Sequence, residues 1–228
     1  MKHQLAVPSD PLSWVTPATQ ERLRLYADLL MHWNQRVNLV ARSSQDRIFN
    51  HHIRHSLCLA WRTFPPGSVV LDWGTGGGLP TVPLAMSFPE TQFVAVDSIG
   101  KKTAALKSMV RELGLSNVRV WQGRAEHYQD QATHCVSRAT APLAKLWKWS
   151  RPRLDVASPP VDISAPTEWT GSGQVEGWSS GLLCLKGGDL AKEIRQVRNV
   201  RVEQFDLQEI AGPSFAEKHI LQVTPASR

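Results

Sequence analysis

From about Thr19 onward, Leu23, Tyr26, Ala27, Leu30, Trp33 and Val37 recur at helical spacing and make one apolar face. A second helix is expected over Asp46 to Trp61. The pattern then changes to short apolar runs separated by helical stretches. Val69–Trp73, Gln92–Asp97, Val118–Trp121, His134–Ser137 and Leu182–Leu185 read as five strands. Helices are expected from Pro80 through Met86, from Lys101 to Leu113 with Gly114 as a stop, and from about Pro142 to Leu154. A helix from Asp189 and a closing pair near 199–208 and 218–224 finish the chain. This alternation predicts an α/β fold, with a mostly parallel seven-stranded sheet and helices on both faces.

The same pattern divides the chain. Residues 1–62 read as an N-terminal helical cap, with a poorly ordered lead over 1–16. Residues 63–228 read as the sheet domain. Residues 155–180 interrupt its rhythm with Pro159, Pro160, Pro166, Gly171, Gly173 and Gly177, and carry no Lys or Arg. They read as a surface insertion that Trp169 and Trp178 could pin down.

The first strand ends in Asp72 and runs into Gly74, Gly76, Gly77 and Gly78 before the helix opened by Pro80. Strand, glycine loop and helix N-terminus together offer backbone N–H groups to a ligand. The dinucleotide pattern G-x-G-x-x-G fails, because Leu79 and Thr81 stand where its third glycine belongs. A phosphate-binding P-loop fails too, since no Gly-Lys-Ser/Thr follows. The spacing present is D-x-G-x-G-x-G, which resembles the S-adenosylmethionine loop of Rossmann-like class I methyltransferases. A glycine turn without a ligand is the alternative. Asp97, closing the second strand, suits the ribose hydroxyls of a nucleoside, serves a nicotinamide cofactor equally well, or caps a helix. Glu126, after the third strand, lies where an adenine contact would fall, or pairs with Arg124 as a helix cap.

Composition adds a polyanion partner to this picture. Lys and Arg number 26 against 20 Asp and Glu, a net charge of +6. The cap is basic and holds His51, His52 and His55 in one short stretch. His51 and His55 have i,i+4 spacing that suits a metal, but no further ligand pattern completes a site, so no metal is expected. Lys101, Lys102, Lys107, Arg111, Arg119 and Arg124 form one basic cluster. Arg138, Lys145, Lys148, Arg151 and Arg153 form another, interleaved with Trp147 and Trp149. Cations beside aromatic rings suit a nucleic acid, whereas buried tryptophans under a solvated helix face are the alternative. The three cysteines show no disulfide or zinc spacing, which fits a reducing cytosol, and Cys135 reads as core. No apolar run is long enough to span a bilayer.

An ordered series of blocks resembles the bacterial 16S ribosomal RNA guanine-N7 methyltransferases, the glucose-inhibited division protein B family. The blocks are Trp33-Asn34 with Asn38-Leu39, His52-Ile53, Leu71-Asp72 with Gly74-Thr75-Gly76, Gly78-Leu79-Pro80 with Pro83-Leu84-Ala85, and Asp97-Ser98 with Gly100-Lys101. They continue through Glu112-Leu113, Gly123-Arg124-Ala125-Glu126, Ser137-Arg138-Ala139 and Leu185-Lys186-Gly187. The resemblance covers roughly residues 20–224 apart from the insertion. Departures include Val40 where the family has Thr, and His55 where it has Asp.

The resemblance implies S-adenosylmethionine held by Asp72, Gly74, Gly76, Gly78, Leu79, Asp97, Ser98, Ala125, Glu126 and Arg138. It implies Arg138 and Asn38 at the reacting centre, and RNA contacts from His52, Lys101, Arg124 and Lys186. The implied partner is 16S rRNA or a small-subunit precursor, met in the cytoplasm by a monomer. The implied product is N7-methylguanine at guanine 527, in the 530 loop. N7 carries a lone pair and no proton, so the chemistry needs positioning rather than a base. The sequence shows no paired-carboxylate or His-Asp constellation, which agrees. The rivals are a methyltransferase with another acceptor, and an RNA-binding assembly factor with a vestigial loop. A nicotinamide dehydrogenase is the weakest reading, because its glycine pattern is missing.

Overall fold

The computed structural model describes residues 9–41, 47–138, 140–155 and 177–226. Most of the insertion, including Trp169 and the run from Ser158 to Val161, lies outside the described residues, as do Asp46 and Ala139.

The cap begins earlier than its sequence suggests. Pro11–Trp14 form one 3₁₀ turn, and Trp14 is buried in the core, so the second half of the lead is part of the fold. Helix α1 spans Pro17–Asn34. The Thr16 hydroxyl accepts from the Thr19 N–H at 3.2 Å, and Pro17 opens the first turn, where its missing N–H costs nothing. Leu23, Tyr26 and Leu30 are fully enclosed along one face of α1. The expected second helix is not one regular helix. Wide π turns cover Ile48–Ile53, a single α turn α2 covers Arg54–Leu57, and Cys58–Trp61 tighten to 3₁₀. Changes of this kind re-aim side chains and are common at functional sites.

The sheet follows the expected alternation: β1 Val69–Trp73, α3 Thr81–Ser87, β2 Gln92–Asp97, α4 Gly100–Glu112, β3 Val118–Gln122, β4 His134–Arg138, α5 Leu143–Ser150, β5 Gly181–Gly187, α6 Ala191–Arg195, β6 Val200–Asp206, α7 Leu207–Ala211 and β7 Lys218–Pro225. Helix α5 is shorter than its apolar pattern, because Pro152 cannot continue it and Arg151–Arg153 turn as 3₁₀. Helix α7 lies inside the expected closing pair. Asp206 caps it by accepting from the Gln208 N–H at 2.8 Å.

Strand order is β3-β2-β1-β4-β5-β7-β6, and only β7 runs against its neighbours. Order reverses between β1 and β4, so their carboxyl ends diverge into a crevice, where ligands bind in open α/β sheets. One face packs under the cap residues Cys58 and Leu59 with Val136, Leu185 and Ile220. The other packs Trp73, Cys135, Cys184 and Leu221 against α5. Cys135 is therefore core, and burial pushes its thiol up to about 12. Trp178, the described tryptophan of the insertion, is buried and donates its indole N–H to the Leu59 carbonyl at 2.8 Å. That bond ties the end of the insertion to the cap.

Candidate functional site

A cleft of about 460 Å³ opens at the carboxyl ends of β1 to β4. Gly74, Gly76, Leu79, Asp97, Ser98, Arg124, Ala125, Glu126 and Arg138 all line it. Residues spread over 65 positions of sequence thus meet because parallel strands end at one edge.

The loop is held from beneath. The Gly74 and Thr75 N–H groups donate to the Val96 carbonyl at 2.9 and 3.1 Å. The Tyr26 hydroxyl donates to the Gly77 carbonyl at 2.8 Å, fastening the cap to the loop. Asp97 is 8 % exposed. Its two oxygens accept from the Gly76 N–H at 3.0 Å and the Ile99 N–H at 2.9 Å. A carboxylate has about four acceptor sites, so two remain for the hydroxyls of a ribose.

Two expected cofactor residues stand elsewhere. Asp72 is completely buried under the loop and accepts from the Thr81 hydroxyl at 2.7 Å. Burial raises its carboxyl to about 7, against the hydrogen bonds of Thr75 and Thr81. It supports the loop and does not line the cleft. Gly78 has φ +99°, and a Cβ there would sit 2.7 Å from both Leu106 and Val82. Close packing of the loop on the helix by itself requires glycine there.

Asn38 is exposed and does not line the cleft, whereas its neighbour Leu39 does. The residue that places Leu39 is Asn34, which sequence reasoning did not single out. Its Oδ1 accepts from the Leu39 N–H at 2.8 Å and the Val40 N–H at 3.0 Å. Asn34 stands in the Trp33-Asn34 block, but its bonds to the Leu39 and Val40 N–H groups depend on how the chain turns after α1.

At the far end of the cleft Arg138 closes β4. Its Nη1 lies 2.7 Å from Nδ1 of His52, and its buried Nε has no partner among the described residues. Burial lowers the His52 imidazole to about 4, and the charges of Arg138, His51 and Lys218 add to the effect. His52 is therefore neutral and accepts from the guanidinium. His55 is buried, with its pKa lowered to about 3 by burial and then by Arg138 and Lys218. The resemblance expects a carboxylate at that position, and a neutral imidazole fills it.

The basic rim divides into working and structural parts. Trp149 walls the cleft, with the Lys145 ammonium 5.0 Å from its ring centroid. It stands beside Glu126. Backbone hydrogen bonding, then the Trp149 indole, holds the Glu126 carboxyl below its ordinary range. Trp147 is buried in the core behind α5. Lys101 is exposed on α4 outside the cleft, and Lys102 lines it instead. The Lys186 ammonium donates to the Ala141 carbonyl at 2.7 Å and to Glu193 at 2.9 Å, with the side chain only 10 % exposed. Arg119 is likewise occupied, by Asp130 and the Tyr128 hydroxyl at 2.6 Å each. Among the described residues no three His, Cys, Asp or Glu converge as a metal site. No helix there is long and apolar enough to cross a membrane.

The cleft suits a nucleoside with a charged tail. It offers a carboxylate for a ribose, an aromatic wall beside it, a glycine loop and a buried cation. A family model described as GidB, rRNA small subunit methyltransferase G, matches residues 19–158. The Ribosomal RNA small subunit methyltransferase G of Salinibacter ruber is 41% identical over 93% of this chain and 96% of its own. That of Chlorobaculum tepidum is 40% identical over 90% of each. Among solved structures, MtNAS in complex with MTA and tNA shares the fold, with a TM-score of 0.57 at 12% identity over 92% of this chain and 76% of its own.

Proposed function

The chain belongs to the rRNA small subunit methyltransferase G family, and on that premise we propose that it methylates N7 of guanine 527 in the 530 loop of 16S rRNA. The observation that carries the site assignment is the meeting of Asp97, the Gly74–Gly76 loop and Arg138 in one cleft.

S-adenosylmethionine is the methyl donor, and when bound it supplies an electrophilic sulfonium methyl. The donor set fits it. Asp97 has acceptor capacity left for ribose hydroxyls, and the unpartnered Nε of Arg138 lies at the cleft's cationic end. Ser98, Ile99, Ala125, Glu126 and Trp149 hold the base, and Gly74, Gly76 and Leu79 hold the amino-acid end. Arg138 closes the acceptor side and orients the guanine. No residue need remove a proton, because guanine N7 has none. The neutral state of His52 serves to aim Arg138 rather than to act as a base. Catalysis is then a matter of positioning and electrostatics.

Residues 1–62 act as a cap over the donor loop, and residues 63–228 form the donor-binding domain, with the insertion at about 155–180. The partner is 16S rRNA or a small-subunit precursor, met in the cytoplasm by a monomer, and Arg124 on the cleft rim meets it. The test is methylation of 16S rRNA from a strain lacking the modification, using purified protein. Mass spectrometry of the digested RNA should place one methyl on guanine N7 in the 530 loop. A methyl on another atom, or none, overturns the assignment.

A further inference from the structure

On the cap side of the sheet, β4 and β7 each carry a cation near the carboxyl edge, with β5 between them. The register sets Arg138 beside Leu185, Leu185 beside Ile220, and Gly187 beside Lys218. Val136, Leu185 and Ile220 all face the core under the cap. Side chains alternate along a strand, so Arg138, Gly187 and Lys218 share that face, with Arg138 level with Leu185 and Ile220, and Gly187 and Lys218 one step further toward the carboxyl edge. Gly187 places nothing in the space between. Neighbouring strands lie about 4.8 Å apart, so the backbones of β4 and β7 are roughly 10 Å apart, and two long side chains can converge above the glycine.

The cap brings His52 to within 2.7 Å of Arg138 and packs His55 against Phe215. Burial depresses both imidazoles, and the charges of Arg138 and Lys218 add to the effect on each. The imidazoles are neutral and cancel no charge. Asp72 is the acidic group felt by Arg138, from beneath the loop, with its carboxyl raised to about 7. Among the described residues no carboxylate lies within ion-pair distance of Arg138 or Lys218. Lys186, the neighbouring cation on β5, points to the other face and is spent on Glu193. His55 is 8 % exposed and its Nε2 has no partner, and Nε of Arg138 is buried in the same condition. Buried polar atoms without partners are rare in folded proteins and mark places where a ligand completes the hydrogen bonding.

We propose that Lys218, two strands from Arg138 and one step further along the same face of the sheet, forms with it a clamp for a backbone phosphate of the RNA strand entering the acceptor side of the cleft. The proposal rests on the reading of the protein as an RNA methyltransferase, and it adds a cation from the last strand that no family block contains. One phosphate gripped between a guanidinium and an ammonium fixes the register of the strand relative to the donor.

The test uses the full chain with Lys218→Ala, Lys218→Glu and Lys218→Arg variants. Binding is read by fluorescence anisotropy of a labelled oligoribonucleotide of the 530 loop, over a salt series. Donor binding is read by calorimetry with S-adenosylmethionine, and folding by circular dichroism melts. Lys218→Ala should weaken RNA binding roughly tenfold at low salt and reduce the log–log salt slope by about 1, the signature of one lost phosphate contact. Lys218→Glu should weaken it further, and Lys218→Arg should restore it, with donor affinity and melting unchanged. Unchanged RNA affinity and slope in Lys218→Ala overturns the clamp. So does a loss of donor affinity, which would assign the cation to the cofactor carboxylate, and so does a wild-type protein that does not bind the RNA. Methyl transfer is scored separately. RNA binding that depends on Lys218 without methylation would sink the enzymatic reading and leave the clamp standing.

Discussion

Nη1 of Arg138 and Nδ1 of His52 stand 2.7 Å apart, joining the last residue of β4 to the π turns of the cap. The guanidinium donates and the neutral imidazole accepts, so the cap sets the direction of the cation at the acceptor end of the cleft.

Replacing His52 with Ala should therefore lower kcat/KM about tenfold, on the order of the 1.5–3 kcal/mol that a hydrogen bond to a charged group contributes, discounted for partial exposure. His52→Gln keeps an acceptor and should recover part of the loss. Steady-state methyl transfer at saturating donor reads this. Equal activity in His52→Ala and wild type would remove the cap from the positioning of Arg138.

Asp97→Ala acts on a different quantity. It removes the acceptor for the ribose and also leaves the Gly76 and Ile99 N–H groups without one. The dissociation constant for S-adenosylmethionine should rise on the order of a hundredfold, from two charge-assisted bonds. Calorimetry measures it, and a change below threefold would contradict the donor orientation proposed here.

Lys186→Ala separates structural from RNA-facing cations. Losing the ammonium strips Glu193 of its cationic partner, leaving it the Leu143 N–H, and strips the Ala141 carbonyl of its donor. Stability should fall by about 1–3 kcal/mol, while the salt slope of RNA binding stays that of wild type. A reduced slope with unchanged melting would return Lys186 to the RNA surface.

Stability should pass through a maximum near pH 6.5. His134, lowered to about 4, and His55, lowered to about 3, are buried and neutral in the folded chain. Between about pH 6.5 and 4 the unfolded chain binds more protons, so stability is lost as pH falls, by up to about 1.4 kcal/mol per pH unit for each histidine. Asp72 has the opposite sign. Its folded value, raised to about 7, lies above the unfolded value, so the folded chain binds the extra proton and stability falls as pH rises toward 7. Urea midpoints across pH 4 to 8 read both limbs. Asp72→Asn should flatten the alkaline limb and steepen the acid limb, because its carboxyl opposes the histidines between about pH 4 and 7.

The strands, their order of alternation and the glycine loop were legible in the chain because their causes are local. An apolar run flanked by turn residues makes a strand wherever it lies, and β1 and β2 begin and end at the expected residues. Asp97, Ala125, Glu126 and Arg138 were legible for a related reason, since a residue that closes a parallel strand must arrive at the carboxyl edge. Chain distance hid the rest. Asp72 and Gly78 belong to the loop motif, yet Thr81, Val82 and Leu106 turn them toward the core. Lys186 and Lys218 are indistinguishable as basic residues. Glu193 neutralises the first from one face of the sheet, and the antiparallel register of β7 puts the second on the other face, two strands from Arg138 and without an ion pair among the described residues. Local periodicity decides which face of an element is apolar, whereas the burial and pairing of a charge depend on what the folded sheet brings against it.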